Sequence, residues 1–387
     1  MSRAGPLRRQ GELLRGIKLT TAYINRIATG VPAYDVHEIF LGAARVLLGD
    51  NEHAHERFER MSKMAGISHR YSCIDPAGGF YEFGRCPSTA ERMRAFDLHA
   101  PELAAATVDR LGLGDDRHRI THLLVTCCTG FSAPGVDFQV MERCGLPSSV
   151  ERVLIGFMGC HAAINALKVA RHIVRSDPDA RVLVLNLELC TLHMRDAHEL
   201  EEMLGFLLFA DGCAACLVTA EPQGIAIDSF RAVLVPETKD MITWHIRDCG
   251  FEMVLSSRVP GMIRRALKAA ANEILSDAPP TSIDLWAVHP GGTSVVDAVQ
   301  RALDLKPEAL ADSREVLRSY GNMSSATVMF VLDAMMRSAP AGAAGCAMSF
   351  GPGMVAETMM FRNVGAPRAL QHAAAGGATA RVGASVF

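Results

Sequence analysis

Cys160 stands in Arg152-Val-Leu-Ile-Gly-Phe-Met-Gly-Cys-His-Ala-Ala-Ile-Asn-Ala-Leu, an apolar strand-like run that ends in a glycine turn and passes into a small-residue helix. The pattern predicts a thiol at a helix N-terminus, where unpaired N–H groups and the positive end of the helix dipole favour thiolate. At a pKa of about 8.5 only ~3% of a thiol is ionised at pH 7, against about 90% at a pKa near 6. His289 follows the strand-like Ser282-Ile-Asp-Leu in Trp286-Ala-Val-His-Pro-Gly-Gly-Thr, just ahead of an amphipathic helix predicted over 293–303. Asn322 lies in Ser319-Tyr-Gly-Asn-Met-Ser-Ser-Ala, before a long apolar helix. Singly, these are a small buried hydrophobe, a core histidine and a helix cap. Together they are a thiol nucleophile and two hydrogen-bond donors delivered by three strand-to-helix junctions, a set suited to acyl transfer through a thioester.

The elements that must position them alternate along the chain. Thr121-His-Leu-Leu-Val-Thr-Cys-Cys and Arg181-Val-Leu-Val-Leu-Asn-Leu-Glu-Leu read as buried strands, and residues 162–174 and 259–275 as helices. Such alternation predicts a layered α/β architecture. Phe209-Ala-Asp-Gly-Cys-Ala-Ala-Cys-Leu-Val and Phe350-Gly-Pro-Gly-Met-Val-Ala-Glu-Thr-Met each set a glycine turn between apolar runs, a weak sign of internal duplication. Past Val364, Gly-Ala-Pro-Arg-Ala-Leu-Gln-His-Ala-Ala-Ala-Gly-Gly-Ala reads as a flexible tail or a short docking helix.

From about Thr21 to Arg362 the chain resembles the type III polyketide synthases, the chalcone-synthase-like branch of the thiolase-fold condensing enzymes. Met158-Gly-Cys-His-Ala-Ala, His289-Pro-Gly-Gly, Arg314-Glu-Val-Leu-Arg-Ser-Tyr-Gly-Asn-Met-Ser-Ser-Ala and Phe350-Gly-Pro-Gly carry the resemblance, in order and at the family's spacing. It implies an α/β thiolase fold of duplicated αβαβα layers, with residues 1–225 as the half carrying the cysteine, 226–365 as the half carrying histidine and asparagine, and 366–387 as a tail. It also implies a homodimer and a Cys160, His289, Asn322 triad that loads an acyl-CoA, extends it with malonyl-CoA and releases a cyclised pyrone or phenolic ring. CoA thioesters are then substrates, and neither metal nor other cofactor is expected.

Further positions carry over residue by residue. Phe209 matches an aromatic gatekeeper, and Met253 the second gatekeeper, usually phenylalanine in plant enzymes; methionine makes a softer wall. Trp244 stands where plant enzymes often have glycine and should narrow the cavity, while His193, in Glu188-Leu-Cys-Thr-Leu-His, replaces a small residue. That segment is more similar to bacterial alkylpyrone or alkylresorcinol synthases, so a fatty acyl starter is the expectation. Cys128 is either a small wall residue or a group that stabilises a polyketide intermediate. Glu188 either assists cyclisation or is a structural hydrogen-bond partner. Arg57 and Arg60 match cations near the CoA phosphates, with a solvated helix face as the plain alternative; the third family cation aligns with Met64. Gly291 and Gly292 would let backbone approach the pantetheine arm. An initiating β-ketoacyl synthase of fatty-acid synthesis, or a non-catalytic thiolase-fold partner, remains as an alternative.

Composition agrees with an enzyme of this kind. The 387 residues are 49% hydrophobic with a net charge of −3, enough for a large core and without the basic excess of a nucleic-acid binder. Eleven cysteines without paired metal-ligand spacing, and a basic start without an apolar run, predict reduced thiols in a cytoplasmic protein. Cys127-Cys128 and Cys213-Ala-Ala-Cys216 fall in apolar runs and read as packing, and no apolar stretch reaches the roughly 18 residues of a membrane span.

Overall fold

The computed structural model describes residues 20–82, 84–194, 203 and 207–365; the tail expected over 366–387 lies outside them. The first part of the chain runs β1 (Ala22–Gly30), β2 (Tyr34–Asp35), α1 (His37–Leu47), α2 (Glu52–Ala65), β3 (Tyr71–Ser72), α3 (Thr89–Arg110), β4 (His122–Cys127), α4 (Val136–Cys144), β5 (Glu151–Gly156), α5 (Ala162–Ser176), β6 (Val182–Leu189) and β7 (Asp211–Thr219). The second part runs β8 (Gly224–Leu234), β9 (Ile242–Arg247), β10 (Gly250–Leu255), α6 (Val259–Ile274), β11 (Leu285–Val288), α7 (Thr293–Leu303), α8 (Ala311–Tyr320), α9 (Thr327–Ser338), β12 (Ala344–Gly351) and β13 (Val355–Gly365). Short 3-10 turns join several of these.

Nine strands form one sheet in the order β11-β12-β13-β8-β1-β7-β6-β4-β5. Outward from the antiparallel β1/β8 contact, β7-β6-β4 on one side repeats as β13-β12-β11 on the other, with the same sequence of antiparallel and parallel pairings. Three apolar clusters explain the layering. One packs α5 and α9 between the two parts of the sheet, a second covers the first part with α3 and α4, and a third covers the second part with α6 and α7. The result is the αβαβα arrangement of the thiolase fold. α5 fits the middle layer because Ala163, Ala166, Leu167, Ala170 and Val174 recur at helical spacing and bring the backbone close to the strands. α9 is buried over all of residues 327–333, as its unbroken apolar run requires.

Two expectations shift. The strand before His289 is Leu285–Val288, because Pro280–Ser282 is taken up in a 3-10 turn. Asn322 follows α8 rather than a strand, and forms an isolated bridge to Phe209 just ahead of β7. β5 and β11 are the edge strands of this sheet, and on β5 Val153 and Leu154 are exposed. Among the described residues no helix is long and apolar enough to cross a membrane.

Candidate active site

Cys160 lies in the 3-10 turn Gly159–His161 that leads into α5, as its glycine predicts: Gly159 has φ +70°, and an added Cβ would strike Pro352 Cδ at 2.3 Å. The second part of the chain clasps this turn. Ser349 Oγ donates to the Cys160 carbonyl at 2.8 Å, and a Cβ on Gly351 would meet His161 Nδ1 at 2.0 Å. Phe350-Gly-Pro-Gly is therefore the buttress of the thiol turn, a role its distance in sequence did not disclose. From below, Gly159 N–H donates to Cys128 Sγ at 3.1 Å.

Asn322 is oriented by its own helix start. Ser324 N–H donates to its Oδ1 at 2.9 Å and Thr327 Oγ1 does so at 3.4 Å, so Nδ2 is the end turned to the site. That amide lies near enough to the Cys160 sulfur to lower its thiol value, and it donates to the Gly291 carbonyl at 3.3 Å. Gly291 belongs to the loop that carries His289, and its Cβ position is 3.6 Å from His289 Nε2. Contacts thus run from Cys160 through Asn322 to the His289 loop. Among the described residues, neither ring nitrogen of the buried His289 has a hydrogen-bond partner, and such orphaned groups in an interior are rare unless something else is to engage them.

The electrostatics differ from those expected of a helix terminus alone. Burial pushes the Cys160 thiol up to about 12; its hydrogen bond to Ser324 Oγ and the neighbouring Asn322 amide pull it down, and the nearby charge of Glu188 adds to the rise. Burial takes His289 down to about 3, with His161 adding to the fall. The helix dipole, worth about 0.3–2 kcal/mol, is too small to offset desolvation of a sulfur anion in this interior. Burial thus favours the neutral forms of thiol and imidazole and works against the ion pair expected from sequence.

Above Cys160 opens a cavity of about 90 Å³, lined by the expected Phe209, Met253, Trp244, His193 and Cys128. Trp244 Nε1 donates to the Cys128 carbonyl at 2.8 Å, which fixes the ring across the cavity. His193 stacks on Phe251 at 4.0 Å between ring centres and meets Trp244 edge-on. Its Nδ1 accepts from Phe251 N–H at 3.0 Å, so its Nε2 is the donor to the Thr129 carbonyl at 2.7 Å, and burial holds the ring neutral, at about 3. His193 thus frames the wall rather than offering a polar group to a ligand. Thr129, in the wall segment with Cys128, also lines the cavity, as do Phe251, Met194 and Ser324, which escaped the sequence reading. Ser324 alone had a signal, its place in the Asn322 motif.

Glu188 does not line this cavity. It lies behind the wall, fully buried, accepting from Cys128 N–H at 2.9 Å, Thr129 Oγ1 at 3.1 Å and Ser325 Oγ at 2.6 Å. Burial raises its carboxyl to about 7 against those hydrogen bonds. Arg57 and Arg60 are exposed on α2. The C-terminal end of that helix is tied to the His289 loop by Thr293 Oγ1, which donates to the Ala65 carbonyl at 2.7 Å. Gly291 and Gly292 leave only ordinary van der Waals contact for an added Cβ, so the fold itself does not demand glycine at either position. Cys213 and Cys216 are packed inside β7, and among the described residues no three His, Cys, Asp or Glu side chains gather as metal ligands would.

Comparison with known proteins agrees with this geometry. Residues 21–222 match the family of chalcone and stilbene synthases, N-terminal domain, and residues 227–365 match its C-terminal domain. The alpha-pyrone synthesis polyketide synthase-like Pks18 of Mycobacterium tuberculosis is 35% identical over 358 residues, covering 88% of this chain and 91% of that protein. Among solved structures, PKS-I of the brown alga Ectocarpus siliculosus superposes with a TM-score of 0.81 at 30% identity, covering 90% of this chain and 100% of that one. The C-terminal type III polyketide synthase domain of Steely1, from Dictyostelium, gives 0.82 at 25% identity, with 89% and 99% covered. With a cysteine turn at the head of a buried helix, clasped by the second part of the chain beneath an aromatic-walled cavity, this chain belongs to the chalcone and stilbene synthase family and is a type III polyketide synthase that condenses CoA thioesters.

Proposed function

We propose that the enzyme loads an acyl group from acyl-CoA, preferably fatty acyl-CoA, onto Cys160, extends it with malonyl-CoA, and releases a pyrone or resorcinolic ring. The observation that carries this reading is the pinned Asn322 amide beside the Cys160 sulfur, with an unpartnered His289 ring on the adjoining loop. In loading, Cys160 sulfur attacks the thioester carbonyl while its proton leaves with the neutral His289 as base. The tetrahedral oxyanion collapses to acyl-Cys160 and expels CoA as its thiolate, and the proton stays on His289 Nε2. In extension, malonyl-CoA loses carbon dioxide and its enolate oxygen accepts hydrogen bonds from His289 Nε2–H and Asn322 Nδ2–H. The enolate carbon attacks the acyl-Cys160 carbonyl and the cysteine leaves. Donors fixed where negative charge develops contribute roughly 3 kcal/mol each, about 100-fold in rate.

Arg57 and Arg60 would take the CoA phosphates, and Gly291 and Gly292 the pantetheine arm, which supplies the reason for glycine that internal packing does not. Phe209, Met253, Trp244, His193 and Cys128 would bound the growing chain, with Cys128 as wall and support of the thiol turn. Residues 1–225 then supply the nucleophile and 226–365 the donors. Two copies would cover the β5 edge, where Val153, Leu154, Phe138 and Met158 are exposed beside an unpaired strand.

The test supplies acyl-CoAs of graded length with labelled malonyl-CoA and reads products by mass, with intact-protein mass spectrometry for the acyl adduct. Pyrone or resorcinol products and an adduct mapping to Cys160 are expected. Strict dependence on malonyl-ACP, or an adduct elsewhere, would overturn the reading.

A further inference from the structure

Of the eleven cysteines, eight are buried, Cys160 is half-buried, and Cys86 and Cys249 are exposed. The fold brings these last two together. Cys86 lies in the loop ahead of α3, Cys249 at the turn between β9 and β10, and the two thiols are near enough for Cys86 to push the Cys249 thiol up. The surrounding backbone is stitched across the same junction. Thr89 N–H donates to the Asp248 carbonyl at 2.8 Å, Thr89 Oγ1 donates to the Arg247 carbonyl, and Gly250 N–H donates to Thr89 Oγ1 at 2.8 Å. Arg92 lies under the junction, its Nε donating to the Pro87 carbonyl at 2.8 Å and its Nη2 to Cys86 Sγ at 3.8 Å. A hydrogen bond of this last kind strengthens as the sulfur gains negative charge.

The hairpin at this junction is a two-stranded sheet apart from the nine-stranded one, and it carries Trp244, Phe251 and Met253 of the cavity wall. A lone two-stranded ribbon is marginal in water, so its anchors decide how firmly that wall stands.

We propose that Cys86 and Cys249 are a surface dithiol that a small disulfide of the glutathione class closes into a cross-link, clamping the β9–β10 hairpin to the loop before α3. Cys86 Sγ, as thiolate, attacks one sulfur of the disulfide and expels one thiolate, leaving a mixed disulfide on Cys86. Cys249 Sγ then attacks the Cys86 sulfur and expels the second. Two protein thiols are oxidised, one small disulfide is reduced to two thiols, and the two protein protons end on them. The long loop closed between positions 86 and 249 makes the cross-link stabilising, and the clamped hairpin fixes Trp244 and Phe251. The effect on chain length rests on the polyketide reading above; the cross-link does not.

The test exposes the full-length protein to graded ratios of oxidised to reduced glutathione and maps peptides under non-reducing conditions. A Cys86–Cys249 cross-linked peptide is expected in the wild type and equally in Cys160→Ser, absent in Cys249→Ser and reversed by dithiothreitol. The cross-linked wild type should gain about 5 °C in Tm. Its kcat/KM for long relative to short acyl-CoA should fall severalfold, while identically treated Cys249→Ser keeps its ratio, so that a loss shared by both proteins reports Cys160 instead. Separate glutathione adducts on Cys86 and Cys249, or pairing of either with a third cysteine, would overturn the dithiol. An unchanged chain-length ratio in cross-linked protein would overturn the clamp.

Discussion

The two parts of the sheet repeat one strand order and carry opposite chemistry. In the first, β4 is followed by Cys128 and the turn before α5 presents Cys160, with the buried carboxyl of Glu188 behind them. In the second, β11 is followed by His289 and the turn before α9 presents Asn322 and Ser324, groups that are neutral at rest. Their bonds cross: Ser325 of the second part satisfies Glu188 of the first, and Ser349 of the second holds the Cys160 carbonyl. A repeated scaffold lets equivalent strand ends meet face to face, so one can be given the nucleophile and the other the donors.

The largest test of that division is removal of its members. Cys160→Ala should abolish both product and acyl adduct. Asn322→Ala should lower kcat by about 100- to 1,000-fold while Cys160 can still be acylated, and His289→Ala should slow acylation and extension alike, with the double variant falling far short of the product of the two losses. Equal loss of acylation and extension in Asn322→Ala would break the assignment of donors to the second part.

Glu188→Gln addresses the charge in the first part. Its negative charge contributes to the high thiol value, so the variant should be alkylated faster at Cys160 by iodoacetamide at any given pH above neutral. In the wild type the alkylation rate should keep climbing through pH 9 without a plateau, since the thiol is held up to about 12. A plateau near pH 7 would restore the low-pKa thiolate. Stability supplies a second readout. Glu188 titrates at about 7 in the fold against an ordinary 4.5, so between these values the native state keeps a proton that the unfolded chain has lost, and stability falls as pH rises. His193 and His289, both depressed to about 3 from 6.5, act in the opposite sense: below 6.5 the unfolded chain binds protons that the native state refuses, so their contribution grows as pH rises through that window. Denaturant melts of Glu188→Gln should therefore gain on the wild type as pH rises from about 4.5 to 7, by on the order of 3 kcal/mol.

Ser325→Ala should cost roughly 1–3 kcal/mol of stability by taking one donor from a buried carboxyl, and should raise the Glu188 titration further. The smallest effect on rate is expected from Trp244→Ala, which opens the cavity and should lengthen products with little change in the loading of Cys160. An unaltered product range would move the limiting wall to Phe251 and His193.

Local patterns made much of this legible. Glycine turns ahead of apolar helices placed Cys160, and small residues at helical spacing predicted a helix able to lie in the middle layer. The triad and the wall residues Phe209, Met253, Trp244 and His193 came through family motifs, and the structure brings them to one region. What sequence could not convey were relations across the repeat. That Ser349 and Pro352 hold the Cys160 turn, or that Phe251 braces His193, depends on which strand ends face each other. The burial that opposes ionisation of Cys160 was hidden for a related reason: a helix terminus is visible in a sequence, whereas desolvation comes from distant segments.

The grip of Ser349, Gly351 and Pro352 on the thiol turn also sets an order of events at the ribosome. Cys160 emerges nearly two hundred residues before its keepers, so the nascent polypeptide carries an ordinary sulfhydryl, and the condensing centre comes into being only once β12 has been made. Fragments that stop short of β12 should consequently contain the nucleophile and yet do no chemistry with it.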